Sequence, residues 1–188
     1  MTRQFGKGVT LDNPAFIHDT ALVYGKVSIA EGASLWPYVV IRSEMHHVAI
    51  GKHTNIQDFV MIHVGNTTPT VIGANCSITH HCTIHGAEIG DNCLIGINST
   101  LMDGVVIGAN SIVAGHSIVT EGTIIPPNSI VAGAPAKVIK SRDNGVANAM
   151  NAAFYYENAK AYAAGDHRVT DNKAFGEAMA DELKALTG

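Results

Sequence analysis

The sequence predicts an all-β protein, a parallel β-helix followed by α-helices, and three observations carry that prediction. First, an aliphatic side chain returns at every sixth position. The run goes without a miss from Ile89 through Ile95, Leu101, Ile107, Val113, Val119 and Ile125 to Val131. The same step occurs earlier at Ile17, Val23, Ile29, Leu35 and Ile41, then at Ile50, Ile56 and Ile62, then at Ile72, Ile78 and Ile84. Six is a multiple of the strand period of two and not of the helical 3.6, so this column marks one strand face. Second, four positions after the aliphatic comes a small or β-branched residue, as at Thr54, Val60, Cys76, Cys82, Cys93, Ser99, Ser111, Ser117, Thr123 and Ser129. Third, the 188 residues include 19 glycines but are only 6% aromatic and 15% charged. That composition suits a narrow coil whose interior slots take Ile, Val, Leu and small side chains.

The charge pattern excludes several classes. A formal net charge of −4 without any Lys/Arg cluster offers no surface for nucleic acid. No apolar run approaches the roughly 18–20 residues of a membrane span, and Met1 to Lys7 lack the apolar stretch of a secretory signal. A cytoplasmic protein with no membrane partner is expected. So few charges leave a lone chain with exposed apolar area, which predicts burial between subunits. Cys76, Cys82 and Cys93 show no metal-ligand spacing and read as small core residues.

The repeat resembles the left-handed β-helix of the hexapeptide-repeat superfamily, which implies three hexapeptides, or about 18 residues, per triangular coil. The register slips between Ile41 and Ile50, between Ile62 and Ile72, and between Ile84 and Ile89. The second slip spans Val64 to Thr70, where Gly65-Asn66-Thr67-Thr68-Pro69 is turn chemistry and reads as a loop extruded from a corner. The repeat ends near Gly133 to Ile139. Beyond it, Val146 to Ala164 is Ala-rich with Val146, Ala149, Met150 and Ala153 at helical spacing. Asp171 to Leu186 repeats the pattern with Phe175, Met179 and Leu183, after a break at Gly165-Asp166-His167. The expected organisation is a β-helix domain over residues 1–140 and a helical segment over 141–188 packed on it.

Seven of the ten histidines, His46, His47, His53, His63, His80, His81 and His85, fall within 40 residues. His63 and His85 each follow an aliphatic of the repeat and stand 22 positions apart, one coil plus four. If the extruded loop absorbs the four, their rings share a column on strands about 4.8 Å apart. Two ligands of a tetrahedral ion with bonds of about 2.0–2.1 Å are about 3.4 Å apart, so the stacked pair converges easily. His80 lies five residues before His85, roughly 16 Å of extended chain, and reaches the same ion only from a neighbouring coil around a threefold axis. Three neutral nitrogens with an open fourth position are the pattern of a catalytic zinc, with cobalt or iron(II) also accommodated.

Arg42-Ser43-Glu44, Ile50-Gly51, Thr54-Asn55-Ile56-Gln57-Asp58, His63, Ile78-Thr79-His80 and Ile84-His85-Gly86 resemble, in order, the gamma-class carbonic anhydrases. The resemblance runs from about Asp12 to Ile139. It implies a homotrimer with zinc at each subunit interface, held by His63 and His85 of one subunit and His80 of the next. It also implies that Gln57 orients the hydroxide on the metal, that Asn55 orients substrate, and that Arg42, Glu44 and Asp58 form ion pairs near the interface, with Arg42 also meeting bicarbonate. Tyr155 looks like the tyrosine that the family's C-terminal helix brings to the metal. His81 matches no ligand and, on a strand, would face away from His80. The implied reaction is attack of metal-bound hydroxide on CO2 to give bicarbonate.

The sequence departs from the family pattern in two places. The loop Val64 to Thr70 carries no acid where archetypal members have a carboxylate-rich proton-transfer loop. Ser43 and Glu44 stand where Gly and Asp are usual, and Ser43 cannot copy a glycine at φ > 0 if one is needed. Two other functions compete. One is a hexapeptide-repeat acyltransferase or CoA-thioesterase-like protein with His116 or His47 as general base. The other is a metal-binding trimer with little hydratase activity.

Overall fold

The computed structural model describes residues 5–187. The chain forms a parallel β-solenoid of about seven turns with two C-terminal helices. Each aliphatic column becomes one inner wall. Ile17, Leu35, Ile56, Ile78, Ile95, Val113 and Val131 pair in register along the first face. Val23, Ile41, Ile62, Ile84, Leu101 and Val119 line the second. Ile29, Ile50, Ile72, Ile89, Ile107 and Ile125 line the third. All but Ile17 are buried, so the core is a continuous aliphatic stack along the axis. The small column is buried as well, except for half-buried Thr123. Its polarity has a use: Thr54 Oγ1 donates to the carbonyl of Gly73, Ser99 Oγ to Ala114 and Cys82 Sγ to Gly96, tying each corner to the next coil.

The corners require left-handed backbone, and asparagine tolerates it at low cost. Asn75, Asn92, Asn110 and Asn128 take φ of 53°, 54°, 60° and 60°. They stack into a ladder in which each amide donates to the next at 3.3, 3.1 and 3.2 Å. The first register slip is absorbed by one bent strand, Val40–Ile50, which joins the second face at its start and the third at its end. The solenoid does not simply run out after Gly133. Strand Ala136–Ser141 turns back antiparallel on Ser129–Gly133 and pairs with an edge that would otherwise be open.

Helix α1, Gly145–Ala163, lies on the first face, and α2, Lys173–Thr187, packs on α1. The buried residues of α1 are Asn148, Ala149, Ala152 and Ala159, whereas Val146 is exposed. The expected apolar stripe is thus corrected: this helix docks partly through amides. Asn148 Nδ2 donates to the carbonyls of Asn92 and Ser111, and Asn151 Oδ1 accepts from Ser77 Oγ at 2.8 Å. The residues Val169–Asp171 form a 3-10 turn, so α2 begins two residues later than the spacing predicts. Among the described residues no helix is long and apolar enough to cross a membrane.

Candidate functional site

The chemistry-bearing side chains gather at the two ends of the strands Met61–His63 and Thr83–His85. At the C-terminal end, parallel pairing sets His85 beside His63 in register. Their ring centroids are 4.9 Å apart and His63 Nδ1 is 3.0 Å from His85 Nε2. The row extends both ways. Glu44 Oε2, from the bent strand, lies 2.9 Å from His63 Nε2, and Asp103 Oδ1 lies 2.9 Å from His85 Nδ1. A carboxylate only accepts hydrogen bonds, so His63 donates from Nε2 and His85 from Nδ1. A ring so oriented, when neutral, would carry its lone pair on the nitrogen that faces the other ring.

Arg42 pairs with Glu44 at the outer edge of this row. The His63 ring holds the Glu44 carboxyl below its ordinary range, and Arg42 adds to the effect. Ser43 is buried, has no positive φ, and donates from Oγ to the carbonyls of Lys26 and His46 at 3.1 and 2.9 Å. The strand therefore needs no glycine there.

The N-terminal end of the same strands holds a second cluster. Gln57-Asp58 and His80 sit at corresponding corners of successive coils, and Asp58 Oδ2 is 3.0 Å from His80 Nδ1. Tyr155 of α1 packs edge-on against Trp36, with centroids 5.6 Å apart. Burial, and then the charge of Asp58, push the Tyr155 hydroxyl above its ordinary value, so it stays protonated at neutral pH. Gln57 is buried, and its Nε2 donates to Asn55 Oδ1 at 2.9 Å. Asn55 in turn donates to Ser77 Oγ at 2.9 Å and to the Cys76 carbonyl at 3.2 Å. Asn55 is thus a buried support for Gln57.

Within one chain the structure brings His63 and His85 together and keeps His80 with Asp58 at the far end. Among the described residues no group of three His, Cys, Asp or Glu is placed to hold a metal ion. The donor chemistry of the pair nevertheless fits a divalent cation: two imidazole nitrogens face each other 3.0 Å apart, and the second nitrogen of each ring rests on a carboxylate. Arg42 and Asp58 do not pair with each other in the chain; their partners are Glu44 and His80. His81 is not on a strand. It occupies a corner at φ 60°, a left-handed turn that sends its ring onto Phe59, which stacks in turn on Tyr38. His46 and His47 face each other through their Nδ1 atoms at 3.0 Å, and His116 takes a corner at φ 58°. Asp103 was not expected from the sequence. It stands 18 residues, one coil, after His85, which places it on the same column.

Residues 86–121 match the family described as bacterial transferase hexapeptide (six repeats). Over 86% of its length the chain superposes on a hexapeptide transferase family protein of Anaplasma phagocytophilum. That match covers 95% of the other chain at 32% identity and a TM-score of 0.74. An acetyltransferase-type protein of Bacillus cereus superposes with a TM-score of 0.82 at 28% identity, over 86% of this chain and 97% of that one. The chain belongs to the hexapeptide-repeat family. Gamma carbonic anhydrase 2 of Arabidopsis thaliana is 36% identical over 107 residues, 54% of this chain and 38% of the relative. The chain therefore spans well under half of that relative's length.

Proposed function

We propose that this protein is a gamma-class carbonic anhydrase that hydrates CO2 to bicarbonate at a metal shared between the subunits of a homotrimer. One observation carries the reading. The donor set is divided, with two convergent imidazoles at one end of the strands and the third at the other, which a threefold ring of identical chains would bring together. His63 and His85 of one subunit and His80 of the partner subunit would hold the ion, zinc by preference, with cobalt or iron(II) as alternatives. A divalent ion held there with an open position would lower the pKa of a bound water toward 7 and so supply the nucleophile.

The residues around it have complementary tasks. The Gln57 amide, fixed by Asn55, orients the reacting oxygen. The neutral Tyr155 hydroxyl offers a hydrogen bond to the bicarbonate being formed, and the Arg42 guanidinium attracts that anion. The loop Val64 to Thr70 carries no acid, and Glu44 and Asp103 are engaged by the histidine rings. Proton export then falls to the solution, so turnover is expected to rise with buffer concentration. Stopped-flow hydration with metal measured on the same sample tests the function. Activity that is lost on chelation and in His80→Ala supports it. No metal-dependent hydration, even with iron or cobalt restored anaerobically, overturns it.

A second reading is an acyltransferase using a CoA thioester, favoured by the close superposition on the Bacillus cereus protein. Tight CoA binding without retained metal would select it.

A further inference from the structure

We infer that Asp103 is a positioning residue that fixes the His85 ring, and that the loop following His63 is built around its carboxylate. The inference rests on the metal reading above and deepens it. One oxygen, Asp103 Oδ1, is crowded from several sides. His85 Nδ1 lies 2.9 Å from it and Thr68 Oγ1 donates to it at 3.2 Å. Two glycines wall the same oxygen, since a Cβ at Gly65 or at Gly86 would fall within 3.0 Å of it. Gly86 also needs its glycine for φ +59°, whereas Gly65 has no such backbone demand; a Cβ there would meet the Thr68 hydroxyl and the Asp103 carboxylate together. The loop closes over this point through Gly65 N donating to the Thr68 carbonyl at 3.0 Å, and Thr70 Oγ1 anchors it to the His63 carbonyl.

The consequence is a fixed tautomer. With Asp103 accepting from Nδ1, His85 keeps its lone pair on Nε2, the atom 3.0 Å from His63 Nδ1. Without the carboxylate the ring is free to turn over and to place its proton on Nε2, which would block the ligand position. Partners of this kind typically contribute about 10–100-fold in metal affinity.

Three variants test the inference: Asp103→Ala, Asp103→Asn and Gly65→Ala, the last pressing a Cβ onto both the Thr68 hydroxyl and the Asp103 carboxylate while leaving Asp103 and His85 in the sequence. Zinc affinity is measured by chelator competition on assembled protein, with fold and assembly checked by circular dichroism and light scattering. Asp103→Ala and Gly65→Ala should each bind zinc about 10–100-fold more weakly. Asp103→Asn, whose side-chain oxygen still accepts, should recover much of the loss. On metal-free protein in mildly alkaline buffer, 15N–1H correlation of the imidazoles should find His85 protonated on Nδ1 in the wild type and on Nε2 in Asp103→Ala. A bracing role alone would move neither the tautomer nor the affinity of an assembled variant. Zinc affinity within about twofold of wild type in assembled Asp103→Ala or Gly65→Ala, or an unchanged His85 tautomer, overturns the inference. Wild-type protein that binds no metal but keeps His85 protonated on Nδ1 overturns the metal reading instead, and with it the affinity claim.

Discussion

Mixing two inactive variants gives a quantitative consequence of the divided donor set. His80→Ala removes the ligand at one end of the strand pair and leaves His63 and His85 in place, and His85→Ala does the reverse. If each site takes its halves from successive chains of a closed ring of three, neither variant alone assembles a complete set. Any mixed ring contains one interface where an intact His63–His85 pair meets an intact His80. Random assembly from equal amounts makes about three quarters of the rings mixed, so about one quarter of all sites regain three ligands. The variants are unfolded together, refolded as an equimolar mixture, and assayed for bound zinc and CO2 hydration. Each variant alone should give close to nothing, and the mixture should recover about a quarter of wild-type metal and activity. Mixed rings, verified by mass-tagged subunits, that recover neither would refute the division of ligands between chains.

Other consequences concern the scaffold. Ile84 is fully buried between Ile62 and Leu101, so Ile84→Ala should cost about 2–5 kcal/mol by denaturant titration, with a loss under about 1 kcal/mol contradicting the stacked core. The raised Tyr155 group keeps its proton in the folded state. It should leave stability unchanged below pH of about 10 and reduce it as pH rises from there toward the folded value. The difference in tyrosinate absorbance between wild type and Tyr155→Phe should place this residue above an ordinary tyrosine; a titration at the ordinary position would contradict its burial beside Asp58. All three cysteines are free and buried, and burial pushes the Cys76 and Cys82 thiols up. Native protein should therefore resist a thiol reagent that modifies all three residues once the chain is denatured, and rapid native labelling would contradict the packing.

The period of six made most of the solenoid legible, because every aliphatic of the column points inward and each coil repeats the same demand. Legibility failed where a residue's role depends on a turn. His81 looked like a strand residue, but strands of two or three residues carry strand alternation for one step before a left-handed corner redirects it. The return strand Ala136–Ser141 is not legible in the sequence, because Val138 and Ile139 read equally well as a fading repeat. The apolar spacing on α1 does not mark its buried face, because that face uses Asn148, whose amide is satisfied by backbone of the solenoid. His63 and His85 were within reach of the spacing argument, since column and loop length together fix their register. Asp103 obeys the same spacing, but a lone aspartate one coil on carries no chemical signature until the ring beside it is seen.

The most direct measurement is anomalous diffraction at the metal absorption edge from crystals of the full chain. The account predicts one peak per chain, lying between His63 and His85 of one subunit and His80 of the partner subunit, around a threefold axis. A peak bound wholly within one chain, or a well-folded monomer in the crystal and in solution, would contradict it.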